Sequence, residues 1–353
     1  MINNGNQQNR NNSIMKKLFL SIIALCCMSA AGAQGTDEIS AILQHGEEVS
    51  VFKGSTGLKE AYAAAADGDI ITLSQGTFEP VNIEKALTIY GAGFEDNEDT
   101  HTAITAINGH LRVGKADTII SGFHIEGVRI IGTLAFVKKM KNVKVQRCET
   151  TENITFAEDV ENVVVKQSRV RGGLSGATSL VASGLLISNC YVWGEINYFN
   201  DNSSVNIDHT FVGTQINRDY DYQNYNMYAQ FVWTNSIIYN NGPYYRMATG
   251  NYATVKNCIV VTGGGTVRDN NIIENCYYVA PADVFADAED GLYTESRTFQ
   301  LKDEATYQGT DGTPIGPSGG AGWNKVPSKP YVANLSATVS GTSLGVTYEA
   351  GVK

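Results

Sequence analysis

Val163-Val164-Val165-Lys166-Gln167-Ser168-Arg169-Val170 and Leu185-Leu186-Ile187-Ser188-Asn189-Cys190-Tyr191-Val192 are one pattern written twice. Two aliphatic residues flank one position, a polar residue and an amide follow, and then come a small residue and another aliphatic two places on. The pattern spreads in both directions as Val145-Gln146-Arg147-Cys148, Ile207-Asp208-His209-Thr210, Trp233-Thr234-Asn235-Ser236, Val255-Lys256-Asn257-Cys258 and Ile273-Glu274-Asn275-Cys276. The small residues recur at intervals of 20, 22, 20, 26, 22 and 18. A period of that size carried by strand-forming residues is the signature of a solenoid whose coils stack.

Within each copy the apolar positions lie five and three residues before the small residue, then at it and two beyond. Side chains alternate along a strand, so a step of three between inward positions breaks the period of two and requires a bend. The bend falls on the amide position, and asparagine tolerates the left-handed backbone that a sharp corner needs. Asn189, Asn235, Asn257 and Asn275 are expected to stack as a ladder, with Arg147, Gln167 and His209 as imperfect rungs. An antiparallel sandwich also gives short strands, but it would not repeat the corner residue in phase. Less regular coils are expected at Asp69 to Leu73, Leu87 to Gly91 and Thr118 to Ile125.

The expected architecture is all-β: a single-stranded right-handed parallel β-helix with an N-terminal capping helix and an irregular C-terminal segment. The ends of a solenoid expose strand edges and must be covered. Leu58 to Ala66 is a strong helix former stopped by Asp67-Gly68, suited to lie across the first coil. Four regions follow: an extension and signal peptide over 1–33, a cap over 34–66, coils over 67–280, and a C-terminal wrap and cap over 281–353. Asp-, Gly- and Pro-rich composition sets 281–330 apart as a wrap. Leu335 to Val339 and Leu344 to Tyr348 read as a hairpin around Ser340-Gly341.

Met15-Lys16-Lys17, the apolar run Leu18 to Met28 and the small triplet Ala31-Gly32-Ala33 have the parts of a secretory signal. The expectation is cleavage after Ala33 and a secreted, surface or periplasmic protein, with no membrane span left. Net charge is −10, and losing Arg10, Lys16 and Lys17 with the leader takes it to −13. That balance disfavours nucleic acid and suits a neutral glycan better than an acidic one. Cys148, Cys190, Cys258 and Cys276 share the small-residue slot. Four cysteines in an exported protein can be read as two disulfides, or as small buried hydrophobes interchangeable with Ser and Thr; only Cys258 and Cys276 fall on adjacent coils.

The coil pattern, with Ala66-Asp67-Gly68-Asp69 to Gly76-Thr77-Phe78 and the closing Asp311-Gly312-Thr313 and Gly319-Gly320, resembles the secreted pectin-lyase-like right-handed β-helix proteins of Bacteroidetes. The resemblance covers nearly all of the exported chain and implies a fold and a setting of glycan use, without a reaction. Val205-Asn206-Ile207-Asp208-His209 is similar to the Trp-Ile-Asp-His segment of pectate lyases, with Asn206 in the tryptophan's place; by register Asp208 and His209 read as corner residues. Gly76-Thr77-Phe78-Glu79 resembles the opening coil of pectin methylesterases, whose Gly-x-x-Asp-Phe segment has no counterpart, and the polygalacturonase motifs are missing.

Residues 191–246 concentrate aromatics, of which Trp233 and Phe231 are core by register. Tyrosine offers an apolar ring with a polar handle, suited to sugar faces and to interfaces. Trp193, Tyr220, Tyr222, Tyr225, Tyr244, Tyr245 and Arg246 are therefore the expected carbohydrate-binding residues, on one side of a monomeric solenoid without a cofactor or resident metal. The bland alternative is that these rings keep a long loop ordered. The enzymatic alternative is a polysaccharide lyase or glycoside hydrolase. A lyase would use Arg169 and Arg171 with calcium on Asp201, Asp219 or Asp221, although Arg169-Val170-Arg171 alternates about an inward valine and so points both arginines to solvent.

Overall fold

The computed structural model describes residues 39–97, 100, 102–177, 179–197, 199–200, 202–213, 230–240, 253–262, 272–289, 297–328, 331–340 and 343–351. The signal-peptide reading of 1–33 lies outside them. The described chain winds as a right-handed parallel β-helix. Strands one coil apart pair in parallel, as Val163↔Leu185, Leu185↔Val205 and Val205↔Phe231 do. Among the described residues they form a 10-stranded second sheet, a 5-stranded third sheet and, with an antiparallel N-terminal hairpin at its edge, a 13-stranded long sheet.

The corner between the long and second sheets is where the repeat placed it. Arg147, Gln167, Asn189, His209, Asn235, Asn257 and Asn275 all have φ between 44 and 52°, the left-handed region that suits Asn and strains most other residues. The small residue after each corner turns inward and forms its own file. Its hydroxyl or thiol donates to the carbonyl two residues back, as Ser168 Oγ does to Lys166 O at 2.9 Å and Thr210 Oγ1 to Asp208 O at 2.9 Å. The same oxygen accepts the N–H of the coil before, Cys148 N at 3.2 Å on Ser168 Oγ and Thr210 N at 3.1 Å on Ser236 Oγ. Cys, Ser and Thr share this slot because each is small and can donate to that carbonyl. The four described cysteines are free thiols.

Inside, Ile71, Ile89, Ile125, Val145, Val165, Ile187, Ile207, Trp233 and Val255 stack in register and are fully buried. A second column runs through Phe136, Phe156, Phe199 and Phe231, with ring centroids 5.2 to 6.4 Å apart. Stacking like on like removes each apolar side chain from water on both sides, and each such residue contributes about 1.5–3 kcal/mol.

At the N-terminal end the helix Gly57–Ala64 buries Leu58 and Ala61 against this core. Beside it, Ser40–His45 and Glu48–Lys53 form a hairpin, and the first of these strands pairs antiparallel with Ile70–Leu73. Reversing the strand direction ends the parallel ladder. At the other terminus Tyr331–Ser340 and Ser343–Gly351 pair antiparallel across Ser340↔Ser343. Among the described residues no helix is long and apolar enough to cross a membrane.

Candidate functional site

The corner residues do not simply bond one another. Residues 309–328 run back along the outside of the corner, against the order of the coils, and the corner side chains hold them there. Asn235 Oδ1 accepts Thr310 N at 2.8 Å. His209 sets Nε2 3.1 Å from Asp311 Oδ2 and Nδ1 3.2 Å from Gly316 O. Asn189 Nδ2 donates to Pro317 O at 3.0 Å and Gly319 O at 2.7 Å, and Gln167 Nε2 to Gly322 O at 2.8 Å. Glu126, fully buried, accepts Ser328 N at 2.6 Å and Ser328 Oγ at 2.8 Å. The strap thus crosses from the coil of Asn235 to that of Glu126.

Among the expected rungs only a short stretch bonds directly from coil to coil, where Arg147 Nε donates to Gln167 Oε1 at 3.1 Å. Arg147 Nη1 turns to Glu126 Oε1 at 3.0 Å. A genuine amide stack lies elsewhere: Asn162 donates to Asn142 at 2.7 Å and Asn142 to Ser121 at 2.9 Å. Asp208 and His209, expected at the corner by register, stand there and hold neighbouring residues. Asp208 Oδ1 accepts Thr234 Oγ1 and Asn235 Nδ2 at 2.7 and 3.0 Å, while His209 is 1 % exposed under the strap.

The strap also divides the outer face of the second sheet. In register down that face stand Arg129, Glu149, Arg169, Tyr191, Phe211, Ile237, Ile259 and Tyr277. An outward column would ordinarily be polar, yet from Tyr191 onward it is apolar. The C-terminal wrap covers it: Val284, Phe285, Ala288, Phe299, Leu301 and Ile315 build a second core with Tyr191, Phe211, Ile237, Tyr239 and Ile259. Phe299 sits 4.3 Å from Phe211, and Trp323 meets Tyr191 edge-on at 4.8 Å. In sequence this column is the residue directly after each small one, a period that an aromatic count alone does not show.

Of the expected carbohydrate-binding residues, Trp193 is described, and it is half-buried in this second core, 5.0 Å from Phe211 and 5.4 Å from Phe299. Tyr220, Tyr222, Tyr225, Tyr244, Tyr245 and Arg246 lie outside the described residues, as do Asp201, Asp219 and Asp221. Trp233 and Phe231 are core, 0 % and 1 % exposed.

Beyond Trp323 the column becomes charged. Glu149, 1 % exposed, receives Arg171 Nε and Nη2 at 2.5 Å, with Arg129 Nε at 3.8 Å and Arg169 Nη1 at 3.9 Å. Arg169 also reaches Glu95 Oε2 at 3.3 Å and lies over the Phe94 ring, while Lys325 of the strap donates to Glu95 Oε1 at 2.8 Å. Burial pushes the Glu95 carboxyl up, but Lys325 and Arg169 outweigh it and hold it below its usual range. Arg169 and Arg171 therefore do not simply point to solvent. A buried carboxylate in the neighbouring coil draws them onto the sheet, and Arg129, with a looser contact, keeps 28 % of its side chain exposed.

Four cations (Arg129, Arg169, Arg171, Lys325) thus surround two carboxylates (Glu95, Glu149), a local surplus of two positive charges on a chain of net charge −10. Arginine forks match carboxylate and sulfate geometry. Among the described residues no group of three or more His, Cys, Asp or Glu gathers to hold a metal ion.

No family model matches the sequence, and no curated protein matches it. Among solved structures the chain is similar to one titled crystal structure of pectate lyase Pel9A. The identity is 12%, the TM-score 0.45, and the match covers 75% of this chain and 94% of that one. The strand pairing itself establishes the parallel β-helix.

Proposed function

We propose that the protein binds carbohydrate on the flank of its second sheet, and that the ligand carries carboxylate or sulfate groups. The arginine cluster around Glu149 supports this reading: it concentrates positive charge at one place on an acidic molecule. The whole-chain charge pointed instead to a neutral glycan. Charge acts locally within a Debye length of about 8 Å at physiological salt, so the patch and not the total governs what settles there.

The lyase alternative would use the same cations to neutralise a sugar carboxylate, and it also needs a base. Of the carboxylates at hand, Glu149 is buried and bonded to Arg171, and Glu95 is held below its usual range by Lys325 and Arg169, which weakens it as a proton acceptor. This favours binding over elimination.

Affinity electrophoresis against uronate, sulfated and neutral polysaccharides tests the proposal. Retardation by an acidic polysaccharide should weaken with added salt and fall about tenfold in Arg129→Ala, the loss of one charge-assisted contact. Retardation by neutral polysaccharide alone, or acidic binding indifferent to Arg129, refutes the assignment. A Tyr222→Ala/Tyr225→Ala variant run beside it tests the aromatic loop separately. A rise in ultraviolet absorbance during incubation would reveal the unsaturated product of a lyase.

A further inference from the structure

Two of the free thiols stand in a relation the others lack. Ser168 separates Cys148 from Cys190, and Thr210 and Ser236 separate Cys190 from Cys258. Cys258 and Cys276 occupy consecutive coils. The pairs Lys256↔Glu274 and Ile259↔Tyr277 fix the register on either side, so the two cysteines sit one over the other at consecutive corners between parallel strands. Each follows an asparagine with left-handed backbone, Asn257 at φ 49° and Asn275 at φ 51°, so both side chains leave the corner in the same direction. Neighbouring strands lie about 4.8 Å apart, inside the Cα separation of about 4.4–6.8 Å that a disulfide spans.

The two thiols also differ in access. Cys258 is fully buried and donates to Lys256 O at 3.3 Å. Cys276 is partly exposed, 3.5 Å from Val255 O and Glu274 O. The neighbouring Cys258 sulfur brings Cys276 down to about 7 against the opposing effect of burial, while burial pushes Cys258 well up. One sulfur is reachable and the more readily deprotonated of the two, and the other lies behind it.

We infer that Cys258 and Cys276 form a redox-active dithiol that closes into an inter-coil disulfide by exchange with a small-molecule disulfide. The Cys276 thiolate attacks one sulfur of the oxidant, forming a mixed disulfide and expelling a thiolate that takes up a proton. Cys258 then loses its proton and attacks the Cys276 sulfur, releasing the second small thiol. Two protein thiols and one disulfide become one protein disulfide and two small thiols, so electrons and protons balance. The bond ties the Ile272–Glu274 coil to the one before it.

The full chain is incubated with oxidised glutathione, blocked with N-ethylmaleimide, digested without reduction and mapped by mass spectrometry, which assigns every cysteine by its own peptide. The expected product is a peptide pair joined through Cys258 and Cys276, with Cys148 and Cys190 alkylated only after denaturation. Cys258→Ser should instead accumulate glutathione on Cys276, and Cys276→Ser should leave Cys258 unmodified in protein that circular dichroism shows to be folded. A wild-type chain that keeps glutathione on Cys276 without closing, or that stays reduced at both positions, overturns the inference.

Discussion

Replacing Asn189 separates what the corner needs from what the strap needs. Its Nδ2 donates to Pro317 O and Gly319 O at 3.0 and 2.7 Å, the residue is 1 % exposed, and its φ is 52°. Asn189→Ala removes both hydrogen bonds, each worth about 1 kcal/mol net. It also removes the amide that eases the left-handed region, leaving alanine strained there by about 1–2 kcal/mol more. The expected loss is about 3–4 kcal/mol. Asn189→Gly relieves the backbone and should cost about 2 kcal/mol. Asn257→Ala is the control: Asn257 has φ 49° and a buried Oδ1 without a hydrogen-bond partner, so the backbone strain of about 1–2 kcal/mol is expected alone. Urea midpoints give the energies, and hydrogen exchange over residues 309–328 shows where they act. Exchange in the strap should rise for both Asn189 variants and stay unchanged for Asn257→Ala. Equal costs at the two corners with an undisturbed strap would refute the reasoning.

Acid should release the same strap at its far end. Burial raises the Glu126 carboxyl, but His124, Ser328 and Arg147 outweigh it and bring it to about 2. Its folded value lies below the unfolded one, so the stabilisation is fully present above the ordinary value of 4.5 and disappears as pH falls toward 2. The shift corresponds to about 3 kcal/mol, and Glu126→Gln should flatten the drop in urea midpoint between those limits. Gly319→Ala should destabilise more than an ordinary surface change, by about 1–3 kcal/mol or more. Its Cβ would meet Pro314 O at 1.8 Å and the His209 ring at 2.6 Å, and thermal melting measures the effect. Trp323→Ala empties the place between Phe94 and Tyr191; for a half-buried ring the expected loss is about 2 kcal/mol, read by the same melts.

The coil was legible because its signal is local and repeated. Val145, Val165, Ile187 and Ile207 announce an inward file, and the residue two places after each takes the one backbone conformation that turns the chain there. The strap had no such signal. Residues 309–328 carry no period, and their partners lie 75 to 202 positions away. Asn189 looks the same in sequence whether it bonds the next coil or a distant carbonyl. Glu149 is silent in sequence for a similar reason: a single acid after Cys148 carries no signal until the fold brings Arg129, Arg169 and Arg171 onto it. On the aromatic side, Tyr191, Trp193 and Phe211 face a second core built by the C-terminal wrap, a segment that carries no repeat to announce it.

The sequence by itself determined the winding, because alternation of side chains and a left-handed corner every 18 to 26 residues leave a stacked coil as the arrangement that buries every aliphatic file. Tertiary structure decided which outward surfaces remain available. A segment that returns from the far end buries the polar corner and the aromatic half of the second sheet, and leaves the arginines around Glu149 at its border. Periodicity fixes contacts between a residue and its own repeat one coil away. Contacts with a chain segment outside the repeat depend on the path that segment takes, which is settled by the sum of many distant hydrogen bonds and packed rings.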